Sequence, residues 1–331
     1  MAAAEVYCFG HVSTGVILRL RDRYPVPDGY AEVAETLENH AGEATGTALV
    51  LARVGVSVAL EGNWLGDNPA CRRTLEVLRA RGIDCSGLVV KPGYSGATEV
   101  VVSDGETRTV FGRYVDLLFT TPQWEPPDLT RIRAARLVCV DPDFGETTRA
   151  VAQAAHDAGR PVVTSDARHD STLASQSAAI AISMEFLRRE YPAAAESESA
   201  RAELFDSYLE HCVGLVVFTA GAGPLWHGRR EDGRGRRELP AFPIEVVDSA
   251  GAGDSLRGGL IYGLLHGWCD EDNVRFAAAV SALICTTAPG CVNPPSLGEI
   301  RSFLTARGCP IPGTTNLSIP TLSPTLFTAS P

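Results

Sequence analysis

The chain has 331 residues, 45% of them hydrophobic and 21% charged, with a formal net charge of −11. That length holds one large domain or two small ones, and the composition is that of an ordinary soluble globular protein. The acidic balance argues against an electrostatic hold on nucleic acid or on an anionic membrane. No apolar run reaches the about 18 residues of a membrane span, and no charged-then-apolar leader opens the chain. The nine cysteines are odd in number and form no C-x-x-C pair, which reads as reduced thiols in a cytoplasmic protein. Lys91 is the only lysine among many arginines, a compositional bias and not a site.

Residues 6–9, followed by Gly10, predict a first core strand, and 12–20 continue it. Pro25, Pro27, Asp28 and Gly29 turn the chain, and 31–38 alternate small or apolar with acidic residues, as in a strand wet on one side. Leu49, Leu51, Ala52 and Val54 have helical spacing, and Gly55 stops that helix. A strand over 56–60 and a helix over 68–81 follow. Residues 96–103 and 107–115 flank Asp104-Gly105, a step that suits a hairpin turn. Beyond Arg136, strands at 137–140, 161–165, 179–182 and 215–219 alternate with helices at 146–158, 186–191 and 201–212. Such alternation builds βαβ units around a parallel sheet. The stretch 229–237, RREDGRGRR, reads as a solvated hairpin tip whose basic residues are diluted by Glu231 and Asp232. Helices over 256–265, 274–287 and 296–306 come last. Residues 313–331 carry no charge, are rich in Thr, Ser and Pro, and are expected to be disordered.

The chemistry concentrates at 246–263, VVDSAGAGDSLRGGLIYG. Val246 and Val247 read as a strand tip, and Asp248 and Ser249 lead into the small-residue turn Ala250-Gly251-Ala252-Gly253. After Asp254, the spacing of Leu256, Leu260, Ile261 and Leu264 predicts a helix. A glycine-rich turn opening a helix exposes backbone N–H groups that attract phosphate. Asp254 has two readings there, a helix cap or a base beside the transferred phosphate. The helix N-terminus favours its ionised form at neutral pH.

DSAGAGD resembles the D-T-x-G-A-G-D signature of the ribokinase-like, or PfkB, carbohydrate kinases, with Ser249 keeping the hydroxyl. The resemblance implies Asp254 as the base and the amides of Gly251, Ala252 and Gly253 as an anion hole. The family's G-G-x-x-x-N motif falls on Ala41, Gly42, Glu43, Ala44, Thr45 and Gly46, so the asparagine is missing. An early Asp that grips sugar hydroxyls in the family is Gly15 here. Glu43, Asn39, His11, Arg108 and Asp141 are candidates for the missing contacts, with Gly42 bringing backbone close to the acceptor. Arg108, in GETRT, resembles the G-x-R-T lid hairpin of ketohexokinase-like members; its other reading is a solvated strand residue. Asp141 ends a strand, where open α/β sheets place ligands, or it caps the turn at Pro142.

On the nucleotide side, Thr219, Gly221 and Gly223 resemble a T-x-G-x-x-G turn one residue short, and Asn293 is a candidate ATP contact. The family's N-x-x-E segment falls on Ser183 to Phe186 and is altered, so Glu185 receives no metal role and the metal ligands stay unassigned. The implied fold is an α/β, doubly wound, mostly parallel sheet with helices on both faces. It forms one domain over 1–312, with a small β-sheet lid from 12–20, 31–38 and 96–115. The implied activity is ATP-dependent phosphorylation of a hydroxyl on a small sugar or sugar derivative, nearest the ketohexokinase and fructokinase subgroup. Mg²⁺ is the implied cofactor, a monovalent cation is admitted, and homodimers would form through the lid. The alternatives are a nucleoside kinase of the same fold and a catalytically degenerate sugar or nucleotide sensor.

Overall fold

A computed structural model of the chain describes residues 3–105, 107–114, 117, 120–233 and 235–309. The expected tail over 313–331 lies outside the described residues. At the centre is an eight-stranded sheet. Its order in space is Arg237–Leu239, Leu225–Gly228, Leu215–Phe218, Ser177–Ile182, Val162–Ser165, Leu137–Val140, Val6–Gly10 and Val58–Gly62. The six strands from Leu215–Phe218 to Val58–Gly62 are parallel, and the hairpin at the other edge is antiparallel.

Strand side chains alternate between the two faces, and helices cover both. Val6, Cys8, Leu60 and Val163 join one buried cluster with Leu49 and Leu51 of helix Glu43–Arg53 and Leu260 of helix Ala252–Leu265. Tyr7, Phe9, Val138 and Val140 join the other with Val151 of helix Glu146–Asp157 and Phe205 of helix Glu198–His211. Val6–Gly10 is accordingly buried along its whole length. It also lies where the chain order of the sheet reverses, between Val58–Gly62 and Leu137–Val140. Doubly wound sheets open their binding crevice beyond the carboxyl ends of the strands at this point. His11 and Asp141 stand there.

A second, four-stranded sheet forms the lid, in the order Val33–Ala41, Ser13–Leu20, Ala97–Ser103, Arg108–Arg113. The hairpin is closed at Asp104, whose carboxylate accepts from the Thr107 N–H and hydroxyl. Asn63 ties the hinge: its side chain accepts from Val12 N (2.8 Å) and donates to Val12 O (2.9 Å). Helix Pro69–Ala80 starts on Asn68, whose Oδ1 accepts from Cys71 N at 3.0 Å.

The expected strand at Val246 and Val247 is absent. Residues 240–247 are irregular, because Pro240 and Pro243 remove backbone donors and the Val247 N–H bonds to Cys285 O at the end of a helix (2.8 Å). The expected solvated tip over 229–237 is only partly solvated. Arg229 forms a two-pronged pair with Asp270, and Arg236 covers the Trp226 ring at 3.9 Å. All nine cysteines are free, and among the described residues no helix is long and apolar enough to cross a membrane.

Candidate active site

Helix Ala252–Leu265 begins at Gly251, which has φ of +77° and therefore a conformation that favours glycine. No side chain caps this helix, and Ala252 N turns back to Ser249 O at 3.3 Å. Amides in the first turn of a helix have no carbonyl partner within it, so this start is open to an anion. Asp254 sits in that first turn without serving as a cap. It lies close to the neighbouring helix: a Cβ on Gly46 would be 2.9 Å from the Asp254 Cβ. The asparagine of the family motif is missing at the place where the Asp254 side chain packs.

Three residues after Asp254, Arg257 points into the core with no exposed surface. Its Nη2 lies 2.7 Å from Asp141 Oδ1, itself in a side chain only 2% exposed. Asp141 Oδ2 accepts from His11 N (2.7 Å) and Ala44 N (3.0 Å). A Cβ on Gly10 would strike this carboxylate, so the glycine ending the first strand is what admits it. Asp141 therefore joins the lid hinge, the start of helix Glu43–Arg53 and the Asp254 helix, and its outer face is not open to an acceptor. Glu43 Oε2 accepts from Ser165 Oγ at 3.2 Å and lies 3.9 Å from Arg257 Nη1.

These acids lie close together around the buried Arg257. Burial, reinforced by Asp141 and opposed by Arg257, holds the Glu43 carboxyl well above the usual range. Burial likewise raises Asp254 to about 7, Arg257 and Arg108 pulling it down and Asp141 and Glu99 pushing it up. The expectation that Asp254 is ionised by its helix terminus at neutral pH is thus corrected. Loss of hydration opposes the dipole and raises the carboxyl.

The lid contributes a carboxylate that no motif announced. Glu99 is the register partner of Gly15, and a Cβ on Gly15 would lie 2.8 Å from the Glu99 Cγ. The space left by the absent family aspartate is filled from the next strand. Glu99 accepts from Asn39 Nδ2 at 2.7 Å and from the Tyr114 hydroxyl. The His11 ring packs edge-on against Tyr114, 4.5 Å between centroids, and burial lowers its pKa to about 4, so it stays neutral. Arg108 extends from the lid toward Glu185, 3.9 Å away. Glu185 thus pairs with a cation. Gly42, with φ of +108°, passes so near His11 O that a Cβ would lie 2.1 Å from it.

The nucleotide-side candidates form an exposed turn. Thr219 N donates to Ile182 O (2.9 Å), Gly221 has φ of +59°, and Gly223 N donates to Ala220 O (2.9 Å). Ser183 caps helix Met184–Glu190 and holds the Asp166 carboxylate through its N–H and hydroxyl. Asn293 follows Cys291, whose Cβ would lie 2.5 Å from a Cβ on Gly251. Asn293 is exposed, and its Oδ1 accepts from Arg81 Nη2 at 2.9 Å. Among the described residues no hydrogen bond joins it to the Thr219 turn.

Two residues of this constellation escaped the sequence. Arg257 left one trace, a charged side chain on the otherwise small and apolar face after Asp254. Glu99 left none, because its place is set by a cross-strand register.

Comparison with known proteins agrees with this architecture. The model of the pfkB family carbohydrate kinases matches residues 3–296. An ATP-dependent ribose-1-phosphate kinase of Halopiger xanaduensis is 28% identical over 308 residues, 92% of this chain and 99% of that one. A nucleoside kinase of Methanothermobacter thermautotrophicus is 25% identical over 92% of this chain and 96% of its own length. Among solved structures, Arabidopsis thaliana ribokinase with ribose and ATP superposes with a TM-score of 0.76 at 18% identity, covering 92% of this chain and 99% of that one. Burkholderia thailandensis nucleoside kinase with inosine gives 0.71 at 20% identity, covering 94% and 100%. The two structures share the fold. With a family model spanning most of its length, the chain belongs to the pfkB family of carbohydrate kinases, ribokinase-like phosphotransferases that act on a hydroxyl acceptor.

Proposed function

We propose that this protein transfers the γ-phosphoryl group of ATP to a hydroxyl of an uncharged sugar or sugar derivative. The observation that carries the reading is the acidity around Asp254: Glu43, Glu99 and Asp141 surround it, against the two cations Arg257 and Arg108. Carboxylates accept hydrogen bonds from hydroxyls and repel a second anion. The Gly251, Ala252 and Gly253 amides receive the γ-phosphate, and Arg108 offsets its charge from the lid. Asp254 accepts the acceptor's proton as the new O–P bond forms. The bond from the γ-phosphorus to the bridging oxygen breaks, and ADP leaves with that electron pair. Thr219, Gly221 and Gly223 cradle the nucleotide. Asn39 and Glu99, with Gly42 and Glu43, line the acceptor side.

Mg²⁺ bound with ATP would supply the charge neutralisation its phosphates need. Asp248, a buried residue whose Oδ1 accepts from Ala250 N (3.0 Å) and whose Oδ2 has no hydrogen-bond partner among the described residues, would supply one oxygen to a monovalent cation. The free cysteines accord with a reducing cytoplasm. Apolar side chains exposed on the lid, Val33, Val110 and Phe111, support a homodimer through that sheet.

The test is ADP release from MgATP with ribose, fructose, ribose 1-phosphate, adenosine and inosine as acceptors. Turnover with a free sugar is expected. Faster turnover with ribose 1-phosphate than with ribose overturns the uncharged acceptor, turnover with nucleosides alone makes the protein a nucleoside kinase, and binding without ADP release makes it a sensor.

A further inference from the structure

Arg257 heads the fully buried large side chains of the protein, and it lies one helical turn beyond Asp254. A buried guanidinium is retained only where its charge and its donors are matched. Here the matching is spread over separate elements. Nε donates to Thr47 Oγ1 (2.9 Å) and Nη1 to Ser165 Oγ (3.1 Å), while Nη2 and Asp141 Oδ1, 2.7 Å apart, meet as opposite charges without hydrogen-bond geometry. The Thr47 hydroxyl passes its own hydrogen to the Asp254 carbonyl at 3.1 Å. Asp141 continues the chain of contacts to His11 N and Ala44 N. One side chain thereby connects the base's own turn, helix Glu43–Arg53, two strand ends and the lid hinge.

The charge count leads to the same residue. Asp254 is faced by Arg257 on its own helix, Asp141 from a strand end and Glu43 from the neighbouring helix. It is faced by Glu99 and Arg108 from the lid and by the Cys291 thiol, which burial keeps protonated, from the last loop. Without Arg257, no buried cation would remain beside these acids among the described residues, and Arg108 is more than a third exposed on the lid.

We propose that Arg257 is a positioning residue for phosphoryl transfer: it locks the Asp254 turn onto the acceptor-side elements and supplies the buried positive charge that lets Asp254 act as a carboxylate. This rests on Asp254 being the base. Asp141 has the opposite electrostatic effect on Asp254 while sharing the same ion pair, so the two partners make opposite predictions.

The experiment is the pH dependence of kcat/KM for the acceptor at saturating MgATP, in wild type, Arg257→Gln, Arg257→Lys, Asp141→Asn and Asp254→Asn. Wild type is expected to show an acidic limb. In Arg257→Gln the limb moves up by about one pH unit or more, so the loss is about tenfold below it and largely recovered at high pH. Arg257→Lys keeps the limb near wild type but lowers kcat, because an ammonium retains the charge and loses the planar fork. Asp141→Asn moves the limb down. Arg257→Gln with an unshifted limb and a uniform loss at every pH overturns the proposal, as does an upward or absent shift in Asp141→Asn. Should Arg257→Gln fail to fold, the Asp141→Asn shift decides alone. An active Asp254→Asn shows that Asp254 is not the base and removes this inference with it, whereas an inactive Asp254→Asn with unshifted limbs in the others overturns only the role of Arg257.

Discussion

The two halves of the proposed site are built in opposite ways. The acceptor half is dry and charged: Asp141 and Arg257 are buried as an ion pair, and each neighbouring acid is held by a named donor. The nucleotide half is an exposed backbone turn, in which Gly221 and Ala222 face solvent and the bonds run between main-chain groups. Backbone amides suit a ligand that brings its own charge and metal, and they need little from side chains. An acceptor hydroxyl carries no charge to exploit, so its position and its proton must be managed by preorganised side chains. Substitutions in the acceptor half should therefore act on kcat, and those in the nucleotide half on the KM for ATP.

The largest expected effect is that of Asp254→Asn. It keeps shape and hydrogen-bonding capacity and removes the base, so kcat should fall by at least about 10²-fold with ATP affinity and Tm nearly unchanged. Steady-state kinetics beside calorimetric ATP titration checks it, and kcat within a few-fold of wild type would break the contrast at its centre. Gly46→Ala comes next. Its Cβ would press on Asp254, and displacing the base by a fraction of an ångström should lower kcat about tenfold while leaving the KM for ATP unchanged.

The pH profile sharpens the comparison further. Burial raises the Asp254 carboxyl to about 7. Below that pH it is protonated and cannot take the acceptor's proton, so kcat/KM for the acceptor should fall about tenfold per unit as pH drops further. ATP affinity measured by titration over pH 6 to 8 should not follow this limb. A smaller effect is expected of Gly221→Ala. The position has open space but φ of +59°, so strain of about 1 kcal/mol should raise the KM for ATP a few-fold with kcat preserved. Asn68→Ala lies in neither half. It should cost about 1 kcal/mol in urea unfolding, through the lost cap, and leave both KM values alone.

Much of this molecule was legible because the information is local. Strand 137–140 is found as Leu137–Val140, and the helix expected over 68–81 is Pro69–Ala80 with Asn68 as its cap. The lid strands fall within a few residues of their expected places, since Asp104-Gly105 marks the turn and alternation marks the faces. The seven contiguous residues from Asp248 to Asp254 contain both a turn and a helix start, so reading them as a phosphate-binding turn needed no distant partner. Val246 and Val247 show the limit of such reasoning. Their β-branched side chains suit a strand, but their neighbour in space is the end of helix Asp270–Cys285, where the backbone donors are used.

The kind of sheet, the lid and the glycine turn that opens helix Ala252–Leu265 follow from short-range periodicity and backbone preference, which a linear sequence carries. Only the tertiary structure decided how the charges are matched. The lid register brings Glu99 into the space beside Gly15, and helix packing places Asp254 against Gly46. The carboxyl ends of distant strands converge on Arg257 through Asp141 and Ser165. Burial and Coulomb interaction depend on distance in space and on the exclusion of water, neither of which a linear order of residues encodes. For that reason Asp254 could be singled out from its motif, while the burial that raises its carboxyl, and the arginine beside it, could not.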